Sequence, residues 1–309
     1  MASHFGPLVV IANPRAGRGR VGAEMPELER QLNARKLRYR IVETTGPGHA
    51  AEIARDALHG GERFLVAVGG DGTVHEVVNG LLGSETGSSV ELAVLPRGTG
   101  VDFVRTFGIP TDLDGAIGVA RDGAVRLVDL GHARYVSSDG GAGEAYFANF
   151  AGAGMSGAIA RRANASSKAL GGRLSFLWAT VAVFSRWRGV AARVTVDEKE
   201  HSRRVFEVLV TNGQYAAGGM WVTPDAEPDD GLFDVLVIGD VTKADFVATF
   251  PKIYRGRHIG HPKIELLRGR EVSVETPAPL PIALDGEQPG TTPATFTVVP
   301  NALRLRVRA

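Results

Sequence analysis

The chain is predicted to be an α/β protein: an N-terminal domain built on a parallel sheet, followed by a second domain of mainly antiparallel β-structure. Three observations predict this. The first third alternates short apolar runs with stretches of helical period, the pattern of a parallel sheet with helices on both faces. After about Arg126 the runs become short, β-branched and separated by Gly, Pro or Asp, as in a sandwich or barrel. The length of 309 residues also exceeds the roughly 100–200 usual for one domain.

Element by element, Leu8–Ala12 is a short apolar strand. Val21–Leu37 follows with Met25, Leu28, Leu32 and Leu37 on one side of a helix. Tyr39–Val42 is a second strand, and Ala50–Leu58 a helix with Ile53 and Leu58 facing inward. Phe64–Val68 is continuously apolar, as expected for a strand buried on both faces. Thr73–Leu82 is helical and Leu92–Leu95 is a fourth strand. In the second part, Arg193–Val196, Val205–Thr211, Gly231–Ile238 and Glu271–Glu275 are strands. They are interrupted by a helix at Gly172–Trp187, whose Leu174, Leu177, Trp178, Val181 and Phe184 keep helical spacing. That stripe is expected to cover the second domain's core. Ala302–Val307 alternates apolar residues with Arg and makes a half-exposed strand.

Composition narrows the function. The chain is 44% hydrophobic and 22% charged, the balance of a soluble globular protein. A net charge of +1 with scattered arginines argues against nucleic acid as a partner. The absence of cysteine excludes disulfides, thiol catalysis and zinc–thiolate sites. The N-terminus MASHFGPLVV lacks the pattern of a signal peptide, and no apolar run approaches the ~20 residues needed to span a bilayer. A cytoplasmic protein is expected, one that can still work peripherally at the inner face of a membrane.

The motifs lie at strand ends. Gly17, Gly19 and Gly22 follow the first strand in the order G-x-G-x-x-G, as in a dinucleotide-binding turn, and Glu43 stands where a ribose-binding acid would be expected. But Asn13-Pro14-Arg15-Ala16 intervenes, and Pro14, which lacks an N–H, gives the loop a different shape. The dehydrogenase reading weakens, while a phosphate-binding loop and a merely flexible βα loop both stay open. The buried strand Phe64–Val68 runs into Gly69-Gly70-Asp71-Gly72-Thr73, where a helix begins at once. Three glycines bring backbone N–H groups close to a ligand, and the helix N-terminus adds positive potential. Asp71 and Thr73 suit a metal or ribose and a phosphate oxygen. A helix cap alone would need only one such residue. Gly98, Thr99, Gly100 and Asp102 repeat the theme after the next strand, and loops at neighbouring strand ends of a parallel sheet converge on one crevice. No G-x-x-x-x-G-K-S/T is present, so this is not a P-loop. Near the end, Leu284-Asp285-Gly286-Glu287 sets two carboxylates around a Gly. Such a pair can hold Mg²⁺ or accept a proton, or can be an Asp-Gly turn with a solvated Glu. His258 and His261 have no acids at matching spacing and are expected to be loop residues.

Together, Asn13-Pro14-x-x-Gly17, Gly69-Gly70-Asp71-Gly72-Thr73, Gly98-Thr99-x-x-Asp102 and Leu284-Asp285-Gly286-Glu287 resemble the bacterial diacylglycerol kinase-like lipid kinases, relatives of sphingosine and ceramide kinases and, more distantly, of NAD kinase and 6-phosphofructokinase. The match spans nearly the whole chain in order. The resemblance implies a three-layer α/β nucleotide domain at 1–125, a β-sandwich lipid-substrate domain at 126–293, and a strand at 294–309 returning to the first domain. It implies ATP contacts from Asn13, Pro14, Arg15, Ala16, Gly17, Thr44 (spaced from Gly48, His49 and Ala50 as T-x-x-x-G-H-A), Gly69, Gly70, Asp71, Gly72, Thr73, Val74, His75, Glu76, Gly98 and Thr99. It implies Asp285 and Glu287 at the acceptor hydroxyl, one as general base, and Mg²⁺ near Asp71; the helix carrying Trp178 and Trp187, if it does not simply cover the core, would line a lipid entrance or touch membrane. It further suggests a structural Mg²⁺ held by Asp230 with carbonyls of Glu227 and Leu232, in the acidic turn Thr223–Val235; a solvated hairpin tip is the alternative. Two positions depart from the family pattern: Val101 stands where Asn is usual, and Arg15-Ala16 replaces a small hydroxyl pair.

The expected function is therefore transfer of the γ-phosphate of ATP to the hydroxyl of a lipid such as diacylglycerol. A kinase of a soluble acceptor such as NAD, and a non-catalytic nucleotide-binding relative, are the alternatives. The expected partners are the lipid, a membrane surface and a second copy of the chain. Asp71→Ala is expected to abolish transfer and leave the melting temperature almost unchanged.

Overall fold

The computed structural model describes residues 7–83, 89–165 and 180–309. It divides into two compact units, Met1–Val128 with Asn301–Ala309, and Asp129–Pro300.

The first unit is built on a parallel sheet. Its strands are β1 (Leu8–Ala12), β2 (Tyr39–Glu43), β3 (Phe64–Gly69) and β4 (Glu91–Pro96), completed by the end of β16 (Gly290–Val307). The order is β2-β1-β3-β4-β16, with every pairing parallel. Helix α1 (Ala16–Ala34) and helix α5 (Leu113–Asp122) cover one face, where Leu8, Val10, Ala12, Val66, Val68 and Leu95 meet Val21, Leu28, Leu32 and Ile117. Strand side chains alternate between faces, so the equally buried Val9, Ile11, Leu65 and Ala67 face the other layer. There α2 (His49–His59) and α3 (Asp71–Leu82) pack closely, a Cβ on Gly80 coming within 2.4 Å of the Ala51 carbonyl oxygen. Burial on both faces explains the unbroken apolar runs. Buried Glu91 pairs with Arg306 at 2.7 Å, tying the C-terminal strand to the sheet.

The second unit is an antiparallel β-sandwich. Its long strand β9 (Lys199–Thr211) pairs with β8 (Val190–Val196) through its first half and β7 (Phe150–Gly154) through its second, with β12 (Phe233–Gly239) on its other edge. β12 continues to β13 (Ile264–Gly269), β8 to β14 (Glu271–Glu275) and then β16, and β7 to β15 (Ile282–Leu284). β5 (Ala124–Ser137) and β6 (Ala142–Phe147) form a further hairpin, and β10 (Tyr215–Ala216) with β11 (Met220–Trp221) a short one. Phe147 stacks on Phe233 at 5.5 Å and meets Phe296 edge-on at 6.1 Å in the core.

Four helices escape the sequence periodicity: α4 (Asp102–Thr106), α5, α6 (Met155–Ala165) and α7 (Lys243–Ile253). The first is only five residues long. α5 carries Gly115 and Gly118 and is started by Asp112, whose side chain accepts from Gly115 N–H at 2.7 Å. α7 is apolar on more than one side and contains Pro251. Of the helix expected at Gly172–Trp187, Leu174, Leu177 and Trp178 lie outside the described residues. Residues 180–186 are helical, with Val181 exposed and Phe184 half-buried. His258 is a loop residue, buried, its Nε2 2.9 Å from the Val222 carbonyl oxygen.

Candidate active site

In the first unit the three glycine loops touch one another at the carboxyl ends of β1, β3 and β4. Asn13 organises the first. Its backbone N–H donates to Val68 at 3.0 Å, its Oδ1 accepts from Arg15 N–H at 3.1 Å, and its Nδ2 donates to Thr73 Oγ1 at 3.2 Å. That last bond joins the first loop to the start of α3. Gly17, Arg18 and Gly19 then take φ of 60°, 64° and 85°, so the regular helix begins only beyond them. This is not the tight strand-to-helix turn of a dinucleotide site. Gly17 is obligatory twice over: its φ favours glycine, and a Cβ there would lie 2.3 Å from the Arg97 carbonyl oxygen.

The second and third loops are in backbone contact. Arg97 N–H donates to the Gly69 carbonyl at 2.7 Å, and a Cβ on Gly98 would fall 2.4 Å from Gly70 Cα. The first N–H groups of a helix have no intrahelical acceptor. Those of α3 open at this sheet edge, a natural position for an anion. Thr44, buried, joins the same edge through its N–H to the Ala12 carbonyl at 2.8 Å. The structure thus brings together Asn13, Pro14, Gly17, Thr44, Gly69, Gly70, Asp71, Thr73 and Gly98. Arg15, Gly72 and Thr99 lie exposed in the same loops, and Ala16 is half-exposed.

Several of these side chains are already engaged. The Asp71 carboxylate accepts from Asp102 N–H at 3.3 Å and Phe103 N–H at 3.2 Å, holding the third loop's short helix. The expectation that replacing Asp71 leaves stability untouched is therefore corrected. Glu76 accepts from Ala50 N–H at 3.1 Å and so starts α2. Val74 is buried and offers a ligand only its backbone, and His75 holds Asn79 through its carbonyl at 2.8 Å. Val101, lacking the polar group of the family Asn, sits at φ 51° and ψ 37°, a left-handed conformation that Asn tolerates and a β-branched residue does not. Sequence reasoning passed over Arg97. Its buried guanidinium pairs with Glu24 at 2.6 Å and donates to the Thr111 carbonyl at 2.6 Å, anchoring the third loop to α1. The Arg in Leu-Pro-Arg-Gly was the available signal.

In the second unit, Asp285 and Gly286 have φ of 48° and 96°, and Leu284 and Glu287 exchange backbone bonds of 2.8 and 2.9 Å. The motif is a two-residue hairpin turn with both central residues left-handed, which explains the Asp-Gly pair. It is also more than a turn. The Asp285 carboxylate accepts three backbone N–H groups, from Ala148 at 2.8 Å, Asn149 at 2.9 Å and Phe150 at 3.0 Å. Glu287 is exposed.

The acidic turn is closed from within. Asp230 pairs with Arg268 and accepts Leu232 N–H at 2.9 Å, and Arg268 also reaches Asp234 at 3.5 Å. Burial pushes the Asp234 carboxyl up to about 6, Arg268 opposing and the neighbouring Asp230, Asp225 and Glu227 adding to the rise. Among the described residues no cluster of three His, Cys, Asp or Glu is placed to hold a metal. The Asp230 carboxylate, expected to hold a cation with the carbonyls of Glu227 and Leu232, is also the partner of Arg268 and of Leu232 N–H.

Two family models divide the chain between them: the diacylglycerol kinase catalytic domain matches residues 7–133, and the YegS C-terminal NAD kinase beta sandwich-like domain matches residues 149–307. A diacylglycerol kinase of Staphylococcus aureus (strain Newman) is 28% identical over 289 residues, covering 93% of this chain and 88% of its own. One from Staphylococcus saprophyticus is 26% identical over 287 residues, covering 93% and 90%. Among solved structures, a diacylglycerol kinase from Bacillus anthracis str. Sterne overlays with a TM-score of 0.73 at 22% identity, over 99% of this chain and 98% of that one. Yeast NADH kinase complexed with NADH overlays with a TM-score of 0.55 at 12% identity, over 99% and 84%. The fold is that of the NAD kinase-like proteins, a parallel α/β domain with a β-sandwich. The chain belongs to the diacylglycerol kinase-like family of phosphotransferases.

Proposed function

We propose that this protein transfers the γ-phosphoryl group of ATP to the hydroxyl of a membrane lipid alcohol such as diacylglycerol. The observation that carries the reading is the mutual contact of the three glycine loops, in the part of the chain that matches a diacylglycerol kinase catalytic domain. In this reading the backbone of Asn13–Gly17, Gly69–Thr73 and Gly98–Thr99 cradles the phosphates, with Thr44 beside them. Arg15 and Arg18, exposed in the first loop, add positive charge. Phosphoryl transfer asks little covalent chemistry of a protein and much positioning, which loops braced by Asn13, Asp71 and Arg97 supply.

Mg²⁺ bound with the nucleotide would neutralise charge on the transferred group. Asp71, the carboxylate in the first turn of α3 beside the glycine loops, is the residue that would hold that partner, while also accepting from Asp102 and Phe103. Asp285 is assigned as general base. A base has to be held within reach of the proton it takes, and three amides fix this carboxylate. Glu287, exposed on the same turn, orients the incoming lipid. The acceptor lives in a bilayer, and no helix among the described residues is long and apolar enough to cross one. The protein is read as meeting the membrane peripherally.

The test offers radiolabelled ATP with diacylglycerol, other lipid alcohols and NAD separately. Label in a lipid phosphate is expected. Label in NAD alone would replace the acceptor, and ATP binding without turnover on any acceptor would leave a non-catalytic relative.

A further inference from the structure

Helix α7 (Lys243–Ile253) is apolar on two sides and has no fully buried residue. A capping box fixes its start: Thr242 Oγ1 accepts Asp245 N–H at 3.1 Å, and Asp245 accepts Thr242 N–H at 2.9 Å. Its inner edge is explained by packing. Phe246 stacks on Phe184 at 4.2 Å and on Phe250 at 5.2 Å, and lies 5.7 Å from Phe206. Lys243 joins the helix to residues 180–187 by donating to the carbonyls of Phe184 and Trp187.

The outer edge has no such explanation. Ala244, Val247, Ala248, Pro251 and Tyr254 all face solvent, Val247 being 63% and Tyr254 48% exposed, beside Val181 at 52%. A surface helix ordinarily turns charge, not Val and Tyr, toward water. Around this apolar face the charge is one-sided. Residues 180–188 and 242–257 hold six Lys or Arg and a single acid, Asp245, which Lys263 already pairs at 2.7 Å. Arg186, Arg188, Lys252, Arg255 and Arg257 are exposed, and among the described residues none has a carboxylate partner. The rest of the chain holds 29 Lys or Arg against 33 Asp or Glu, so this is a local concentration of positive charge in a protein whose remainder is net negative.

We infer that the outer face of α7, with the adjoining residues 181–188, is the surface on which this protein sits on an anionic bilayer. The inference rests on the lipid-kinase reading above for its purpose, and on the surface itself for its chemistry. A helix lying in the bilayer interface buries an apolar side among the headgroups and ringed cations attract anionic lipid. Charge also selects this occupant over a second copy of the chain. A symmetric pair joined through this face would set the same cations against each other, and like charges there are unfavourable.

The test is flotation of the full chain with vesicles of phosphatidylglycerol and phosphatidylcholine, against phosphatidylcholine alone. Binding to the anionic vesicles, weakened by salt, is expected. Each Lys or Arg near such a surface contributes about fivefold, so K252Q/R255Q should weaken binding ~30-fold, and Val247→Asp should weaken it as well. All these positions are exposed, so melting midpoints should hold. Turnover of a short-chain diacylglycerol dissolved as monomers should hold too, while turnover on vesicles falls. Wild-type protein that ignores anionic vesicles, or variants that bind them as tightly as wild type, overturn the inference. So does a dimer that Val247→Asp dissociates while vesicle binding is unchanged. Surface-dependent vesicle binding with no lipid phosphorylated would leave this inference standing and remove the lipid-kinase reading instead.

Discussion

Asp285 can be made to show its two roles separately. Its carboxylate receives three amides at 2.8 to 3.0 Å from a left-handed backbone, φ 48°. A hydrogen bond to a charged group contributes about 1.5–3 kcal/mol net, and the half-exposed position argues for the low end or below. Asp285→Ala removes all three acceptors and puts alanine where left-handed backbone costs about 1–2 kcal/mol. A loss of roughly 4–5 kcal/mol follows, which in a unit the size of Asp129–Pro300 lowers the melting midpoint by roughly 8–20 °C. Asp285→Asn keeps one oxygen for the Asn149 and Phe150 amides and tolerates the backbone, but turns an N–H toward that of Ala148. Its expected cost is about 2 kcal/mol, or roughly 4–8 °C. If Asp285 is the base, Asp285→Asn should still lose ~10²–10⁴ in kcat, measured at 25 °C well below its midpoint. A midpoint for Asp285→Ala within 2 °C of wild type would refute the clamp. Lipid turnover by Asp285→Asn within threefold of wild type would refute the base.

Three further outcomes follow from single residues. Gly98→Ala puts a Cβ 2.4 Å from Gly70 Cα, against the ~3.5 Å that carbon atoms accept. The loops must part by about 1 Å, and ATP binding by calorimetry should weaken at least tenfold; wild-type affinity would contradict the loop contact. Val101→Asn relieves left-handed strain of a kind that costs about 1–3 kcal/mol and should raise the melting midpoint by ~3 °C, whereas a fall would show that Val101 packs better than it strains. Buried Glu207 holds the start of α6 through Ser156, and burial pushes its carboxyl up to about 7. In the folded state it keeps a proton that the unfolded chain releases near 4.5, so its contribution is complete below that pH and is lost as pH rises through 7. Asp234, pushed up to about 6, acts in the same sense. The midpoint should therefore fall between pH 5 and 7.5, and Glu207→Gln should flatten the slope; a variant as steep as wild type would assign the dependence elsewhere.

Much of the first unit was legible because its code is local. β1 was read with the boundaries it has, and strands buried on both faces betray themselves as apolar runs. Glycine clusters marked the loops because close backbone approach leaves little alternative, as at Gly17 and Gly98. Of the helices that escaped, α5 and α7 carry glycine, proline or two apolar edges and so lack a clean 3.6-residue period. What spacing could not supply was partnership across the chain. The amides at 148–150 that receive Asp285 lie more than 130 residues away. Asp71 looked like a ligand and is also a brace, and Asp230, expected to hold a metal, also pairs with Arg268.

The central claim is that separate glycine loops form one nucleotide site, and amide hydrogen exchange measures it most directly. With a non-hydrolysable ATP analogue and Mg²⁺, protection should rise together in residues 13–19, 69–74 and 97–100 and fail to rise in Gly98→Ala. Protection confined to other segments, or unchanged in all three at saturating nucleotide, would contradict it.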